Sequence, residues 1–406
     1  MTAPAATVAP KLATAAEILP ALAAALLTDG PPVAPLPPDP AERRNAVEML
    51  QPREPLHEAE IAAIVATSGS TGEPKGVLLS RSAIRASAEA THRRLGGPGD
   101  WALALPTHYV AGLMVLARSL VAGTSAHPVS RDLSDLAGVA ERMSGRRYLS
   151  VVPTQLARAL SSQSTTEALA GFDAVLLGGA AADAALLARA ETAGISVVTT
   201  YGMSETCGGC VYDGEPLDCA EVALEPGTDR ILLRGPMLFS GYRLRPDLTA
   251  ATLAGNTLRT ADRGRLEQSK QDGGPADGRL RVLGRVDDVV VSGGLNIDLA
   301  DVERACQRWL DGRGEIAVVG VPDADWGTRV VAVTDAGGSL PELRSFLLAS
   351  LPGYAHPRQL VRLGSLPRTS SGKIDRQHLI STVADAETSP ARPPTARSTK
   401  EQHHDH

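Results

Sequence analysis

Lysine is scarce in this chain. Of 40 basic residues only five are lysine, at positions 11, 75, 270, 373 and 400, and every other one is arginine. Aromatics are few as well, at 3%, too few for the stacking platforms that hold single-stranded nucleic acid. A formal charge of −6 and a pI near 5.9 argue against a nucleic-acid surface as the main business. No apolar run approaches the roughly 20 residues that a membrane span needs. The N-terminus lacks a basic leader segment, with only Lys11, so Ala15–Leu27 reads as an amphipathic or buried helix rather than a signal peptide. Four cysteines do not make a disulfide framework, and a cytoplasmic location is the expectation. Cys207 and Cys210 have C-x-x-C spacing but no second pair, and Cys219 and Cys306 offer none, so all four are read as structural.

What is present points elsewhere. With 406 residues, 43% apolar and 21% charged, the chain has room for two or three domains with a large core. Two of the five lysines, Lys75 and Lys373, lie in loops rich in serine, threonine and glycine. The first loop, Thr67-Ser-Gly-Ser-Thr-Gly-Glu-Pro-Lys-Gly-Val77, follows the apolar run Ile61–Ala66, which reads as a buried strand. Glycines let a backbone approach a ligand closely, and successive N–H groups in such a turn form an anion-binding concavity. Ser68, Ser70 and Thr71 add hydroxyls and Lys75 adds a compact charge. Polyphosphate is the simplest ligand for that set, against the plain alternative of a surface loop. Lys75 is followed by Gly76 and Val77, so the Walker A order of Gly-Lys-Ser/Thr is not met.

From Ile61 to Thr200 short apolar runs (102–105, 149–152, 174–177, 196–200) alternate with stretches of helical spacing (81–95, 113–121, 133–143, 181–193). That alternation predicts right-handed crossovers and a largely parallel sheet, with ligands at loops beyond the strands' carboxyl ends. Gly30–Pro40 reads as an extended proline-rich connector on the surface. After Asp213 the texture turns to short strands, with 269–278 as a polar hairpin tip. A compact α+β unit is expected from 289 to 380, and polar residues 381–406, ending His-His-Asp-His, predict a disordered tail.

Four further stretches matter. They are Tyr201-Gly-Met-Ser-Glu-Thr206, Arg259-Thr-Ala-Asp262, Gly284-Arg-Val-Asp-Asp288 with Gly293-Gly294 beyond it, and Pro367-Arg-Thr-Ser-Ser-Gly-Lys373. Each alone is an ordinary turn. Together with the loop at Thr67, in this order, they resemble the adenylate-forming enzymes: acyl-CoA synthetases, peptide-synthetase adenylation domains and luciferases. The resemblance implies an α/β fold with a large N-terminal domain (1–283) of parallel-sheet layers and a small β-rich part. A hinge (284–288) and a small mobile α+β domain (289–380) follow. It implies ATP, Mg²⁺ and CoA as ligands, in a two-step reaction through an acyl-adenylate.

By the same resemblance Thr67, Ser68, Ser70, Thr71, Gly72 and Lys75 hold phosphate, while Tyr201 stacks on the adenine with Gly202 and Met203 in the motif beneath it, and Gly179 is cofactor-binding. Glu205, with Thr71, serves the metal, and Ser204 or Thr206 touches phosphate. Asp262 takes the ribose hydroxyls, in a place where the family usually has glycine instead of Ala261. Arg285 contacts nucleotide, Asp287 is the rotating residue, Gly293 and Gly294 line the pantetheine path, and Lys373 is the catalytic lysine. The segments Leu105–Leu113, Val152–Leu156, Leu177–Ala180 and Arg234–Tyr242, with only 66 residues before the loop, look like a short o-succinylbenzoate–CoA ligase of menaquinone biosynthesis. The family's histidine would align with Tyr109, leaving His108 one place early, in the pocket or packed elsewhere. A diacid needs a fixed cation or several donors against an apolar wall. Thr154, Gln155, Gly178, Gly179 and Ala180 are the expected wall, and no anchoring arginine is identified. Another aryl or medium-chain acid, a carrier-protein acceptor and a non-catalytic nucleotide binder are the alternatives. The expected partners are therefore a carboxylic acid, ATP and CoA, without nucleic acid or membrane span, and with a possible homodimer.

Overall fold

The computed structural model describes residues 9–67, 74–181, 183–267, 278–369 and 372–388. The chain divides into two compact units, Met1–Val286 and Asp287–His406.

The first unit holds three sheets. One is seven-stranded, and five of its strands run parallel in the order 126–128, 100–103, 147–151, 174–177, 197–203. Four of these overlap the apolar runs read from the sequence; the half-exposed edge strand 126–128 was not among them. Burial on both faces explains their unbroken hydrophobicity, since crossover helices cover each side. One face packs Leu149, Val151, Val175 and Leu177 with the helices at 136–140, 153–159, 163–170 and 184–192. Gly208–Tyr212 then turns back antiparallel on Val197–Met203.

A second sheet runs Lys11–Ala13, Val33–Pro35, Ile61–Thr67, Lys75–Ser80, Gly241–Tyr242. Here two expectations change. The segment at Gly30–Pro40 is not a surface connector, because Val33, Ala34 and Pro35 form a buried strand parallel to its neighbours. Proline is tolerated there because Pro35 terminates a three-residue strand. The strand before the phosphate-type loop is followed by another strand, antiparallel to it, with Thr67 opposite Lys75. The loop is therefore a hairpin connection rather than the start of a crossover helix. A third, antiparallel sheet is formed by residues 221–224, 230–234, 253–254, 257–267 and 279–285. The expected hairpin tip lies almost wholly outside the described residues.

In the second unit Ile316–Asp323, Gly327–Thr334 and Gln359–Arg362 form one sheet. Helix Leu299–Leu310 buries Val302, Cys306 and Trp309 on one face of it. The other face is covered by a helix running Arg376–Thr388, with Leu379 and Val383 buried against Val319, Val331 and Val333. The expectation of disorder from 381 is corrected through 388. Val383 and partly buried Ala384 face that sheet, and tertiary burial outweighs a polar local composition. Residues 389–406 lie outside the described residues. Among the described residues no helix is long and apolar enough to cross a membrane.

Candidate functional site

Lys75 opens the strand Lys75–Ser80, and its ammonium meets two groups from distant parts of the chain. It donates to the Tyr242 hydroxyl at 2.9 Å and forms an ion pair with Glu205 Oε1 at 3.0 Å. The Tyr242 hydroxyl in turn donates to the same Glu205 oxygen at 2.7 Å. Glu205 is buried, Tyr242 is 3% exposed, and Phe239 packs edge-on against its ring. Burial, and then the Glu205 charge, push the Tyr242 phenol well above its usual range, so it stays protonated and donates. Of the loop itself, Ser68, Ser70, Thr71 and Gly72 lie outside the described residues. Thr67 ends the strand, half-buried, with its hydroxyl 3.4 Å from the Lys75 carbonyl.

Glu205 owes its place to a tight reversal. Gly202 lies so close to the returning strand that a Cβ there would sit 2.1 Å from the Gly208 carbonyl oxygen. Between the strands, Ser204–Thr206 form one 3₁₀ turn, closed by Cys207 in the left-handed region at φ +52°. Thr206 is fully buried, and its hydroxyl is used inside the turn, 2.6 Å from the Gly208 carbonyl and 2.9 Å from the Met203 amide. Of the two hydroxyls proposed for phosphate, Thr206 is thus structural, and half-buried Ser204 is the available one.

On the strand that leads into this turn, the Tyr201 phenol donates to Asp262 Oδ2 at 2.8 Å, and the Arg285 guanidinium lies 3.5 Å from Oδ1. The Asp262 amide bonds the Thr260 hydroxyl at 3.1 Å. Ala261 lies where strand 257–267 bulges against 230–234, the register shifting between Arg259 and Arg263. Its carbonyl accepts from the Val286 amide, and its φ is not positive, so the missing glycine is not needed for one. The structure brings together Tyr201, Asp262 and Arg285, and separately Lys75, Glu205 and Tyr242.

The expected acyl wall is partly corrected. Gln155 uses its side chain to tie loops together: Oε1 accepts from Val152, and Nε2 donates to the carbonyls of Arg131 (2.9 Å) and Ala104 (3.4 Å). It shapes the wall rather than offering donors. Thr154 and Ala180 are exposed. Gly178 is required, since a Cβ would lie 2.5 Å from Thr200 Oγ1, and Gly179 has φ +83°. His108 is half-buried against the Tyr109 ring, with centroids 4.2 Å apart, and burial lowers its pKa.

Besides Tyr242, a second residue escaped the sequence reading. Arg118, on helix Val110–Ala122, is 4% exposed and makes no hydrogen bond or ion pair among the described residues. Its guanidinium lies over the Trp101 ring at 4.9 Å, and Nη2 is 3.9 Å from where a Gly208 Cβ would be. His92 beside it is buried and pushed down to about 4 by burial, then by Arg118 and Arg93. An arginine in an apolar helix carries no motif; only an uncompensated buried charge marks it.

In the second unit Lys373 is exposed, with no partner for its ammonium among the described residues. Its carbonyl accepts from the Thr369 amide at 2.8 Å, and Gly372 turns at φ +85°. Gly293 and Gly294, at φ +57° and +81°, form the two-residue turn between Val289–Ser292 and Leu295–Asp298. Asp287 begins this unit. The four cysteines are free; Cys207, Cys210 and Cys306 are buried, and no metal-holding cluster of His, Cys, Asp and Glu occurs among the described residues.

Comparison with known proteins adds the following. The family model described as AMP-binding enzyme matches residues 2–243, and the one described as AMP-binding enzyme C-terminal domain matches 311–373. A probable 2-succinylbenzoate–CoA ligase of Mycobacterium tuberculosis is 43% identical over 335 residues, 79% of this chain and 84% of that one. The o-succinylbenzoate CoA synthetase of Bacillus subtilis, solved with the acyl-adenylate OSB-AMP, is 26% identical with a TM-score of 0.74, covering 93% of this chain and 88% of that one. The same synthetase solved with ATP and magnesium gives 26% and 0.68, over 89% and 82%.

Proposed function

The chain belongs to the AMP-binding enzyme family, and from that premise we propose that it is an ATP-dependent 2-succinylbenzoate–CoA ligase of menaquinone biosynthesis. The observation that carries the substrate is the 43% identity to the mycobacterial ligase along most of both chains. The chemistry is supported by Lys75 paired with Glu205, and by Tyr201 bonded to Asp262, with Tyr201 and Glu205 four residues apart on one strand and its turn.

In the first half-reaction a carboxylate oxygen of the acid attacks the α-phosphorus of ATP. An acyl–O–P bond forms, the α–β phosphoanhydride breaks, and pyrophosphate leaves. In the second, the CoA thiolate attacks the acyl carbonyl, a C–S bond forms, and AMP leaves. Lys75 presents its ammonium to the phosphates, and Asp262 accepts from the ribose hydroxyls. Glu205 is a hard oxygen donor of the kind Mg²⁺ takes beside nucleotide phosphates, and the cation when bound neutralises phosphate charge. Lys373 supplies the charge opposite the α-phosphate. Asp287 acts as the rotating residue, and Gly293–Gly294 give CoA its passage. The spare carboxylate of the diacid is held by Arg118, the buried cation that lacks a carboxylate of its own. Free cysteines fit a reducing compartment, the cytoplasm.

Pyrophosphate release with MgATP tests this reading, using 2-succinylbenzoate, benzoate and octanoate, each with and without CoA. Turnover on 2-succinylbenzoate that depends on CoA is expected. Preference for another acid would remove the pathway, indifference to CoA would point to a carrier protein, and silence with every acid would overturn the enzyme.

A further inference from the structure

The triangle of Lys75, Glu205 and Tyr242 contains one member to which the reaction assigns no part. Tyr242 sits on a two-residue strand paired with Lys75–Ser80, with Gly241 opposite Leu78 and Tyr242 opposite Val77. Its placement is over-determined. Its amide donates to Thr249 Oγ1 at 2.8 Å, and the next amide, that of Arg243, donates to the Gly76 carbonyl at 2.8 Å. Gly241 turns at φ +144°, where a Cβ would meet the Thr249 methyl at 2.9 Å. The Arg243 guanidinium donates to four carbonyls of the 50–55 segment, those of Leu50, Gln51, Glu54 and Pro55. A ring fixed this firmly, with its hydroxyl touching both charged groups, holds them more rigidly than either holds the other.

We propose that Tyr242 is a positioning residue for MgATP: its hydroxyl holds Glu205 Oε1, so that the carboxylate keeps its orientation when Lys75 leaves it for the phosphates. In the resting triangle Lys75 and Glu205 neutralise each other. Once the ammonium turns to nucleotide, buried Glu205 would lose its charged partner. The phenol continues to donate to the same oxygen and leaves the other free. It also gives the ammonium an acceptor, and a ring face 4.3 Å away, on the route between the two.

The inference rests on the ligase reading, and the test separates the two. Tyr242→Phe keeps the ring and removes only the hydroxyl. A hydrogen bond to a charged group carries roughly a ten- to hundredfold factor in affinity. MgATP affinity of the variant, measured by titration calorimetry without acid or CoA, should fall by about that factor. The Mg²⁺ concentration for half-maximal pyrophosphate release should rise in parallel, with thioester formation from pre-made acyl-adenylate unchanged. In a double-mutant cycle with Glu205→Gln, the Phe change should add little on the Gln background. Unchanged or tighter MgATP binding, or full additivity in the cycle, overturns the assignment. So does an equal loss in both half-reactions, which would mean general damage. If the parent protein binds MgATP but turns over no acid, the ligase reading fails while the role of Tyr242 stands.

Discussion

A buried guanidinium without an anion is costly, and Arg118 is one. Replacing an uncompensated internal charge by a side chain of similar volume removes a desolvation cost and is commonly neutral or stabilising. If Arg118 is kept for a ligand, the two effects of Arg118→Met should run in opposite directions. The thermal midpoint should hold or rise, while KM for 2-succinylbenzoate climbs about tenfold or more and KM for MgATP stays put. Falling stability with unchanged KM would show a structural arginine. Its neighbour His92 gives a pH test. Burial and two arginines hold its pKa at about 4, below the ordinary 6.5. The unfolded chain therefore binds a proton there that the folded one refuses. Stability is complete above pH 6.5 and is lost progressively as pH falls toward 4. His92→Gln should flatten that part of the profile, as melting temperature measured from pH 7 to 4.5 would reveal. Lys75 and Glu205 were legible because glycine-rich loops and an acidic turn advertise chemistry locally. Tyr242 was not, since its bond to Lys75 spans 167 positions, and Arg118 was one arginine among many.

Elements were readable wherever both faces of a strand are buried. The runs at 149–152 and 174–177 have only one use, as central parallel strands, and the structure uses them so. The segment Gly30–Pro40 misled because its prolines signal a connector while its burial depends on a partner, Ile61–Thr67, that lies far along the chain. The helix through Thr388 misled in the same way, as its polar composition hides Leu379 and Val383 packing on a sheet formed earlier. Tertiary partners, which no local window contains, decided both. The most consequential of these non-local ties is Arg243. It is 3% exposed and gathers the end of helix Pro40–Leu50 and the following loop onto the strand that carries Tyr242. Arg243→Met would leave four carbonyls without this donor, at a cost of about 3 kcal/mol. A lower urea midpoint and weaker MgATP binding are expected together. Arg243→Lys should recover little, because a single ammonium cannot reproduce a planar fork that reaches four acceptors. A Met variant as stable as the parent would show that the 50–55 segment is held by other contacts.

At the scale of the whole molecule, the residues proposed for chemistry are divided between two compact units. Lys75, Glu205, Tyr201, Asp262 and Arg118 belong to the first; Lys373, Gly293 and Gly294 belong to the second. A two-step reaction on one acyl carbonyl explains such a division, since attack on phosphorus and attack by thiolate ask for different groups at one place. Lys373 has the properties the first step wants: exposed, on a glycine turn, its ammonium bound to no partner among the described residues. The charge that develops as carboxylate meets the α-phosphate exists only in that step. An ammonium that stabilises it lowers one barrier and leaves the other untouched. Lys373→Ala should therefore slow pyrophosphate release by about a hundredfold or more. CoA thioester formation from synthetic acyl-adenylate should continue near the parent rate. Single-turnover measurement of each half-reaction separates the two, and MgATP affinity by calorimetry checks that binding survives. Loss in both steps would tie Lys373 to a function common to both and remove the reason for placing it in a separate unit. Loss in the first alone would mean that the units share the chemistry by step rather than by substrate.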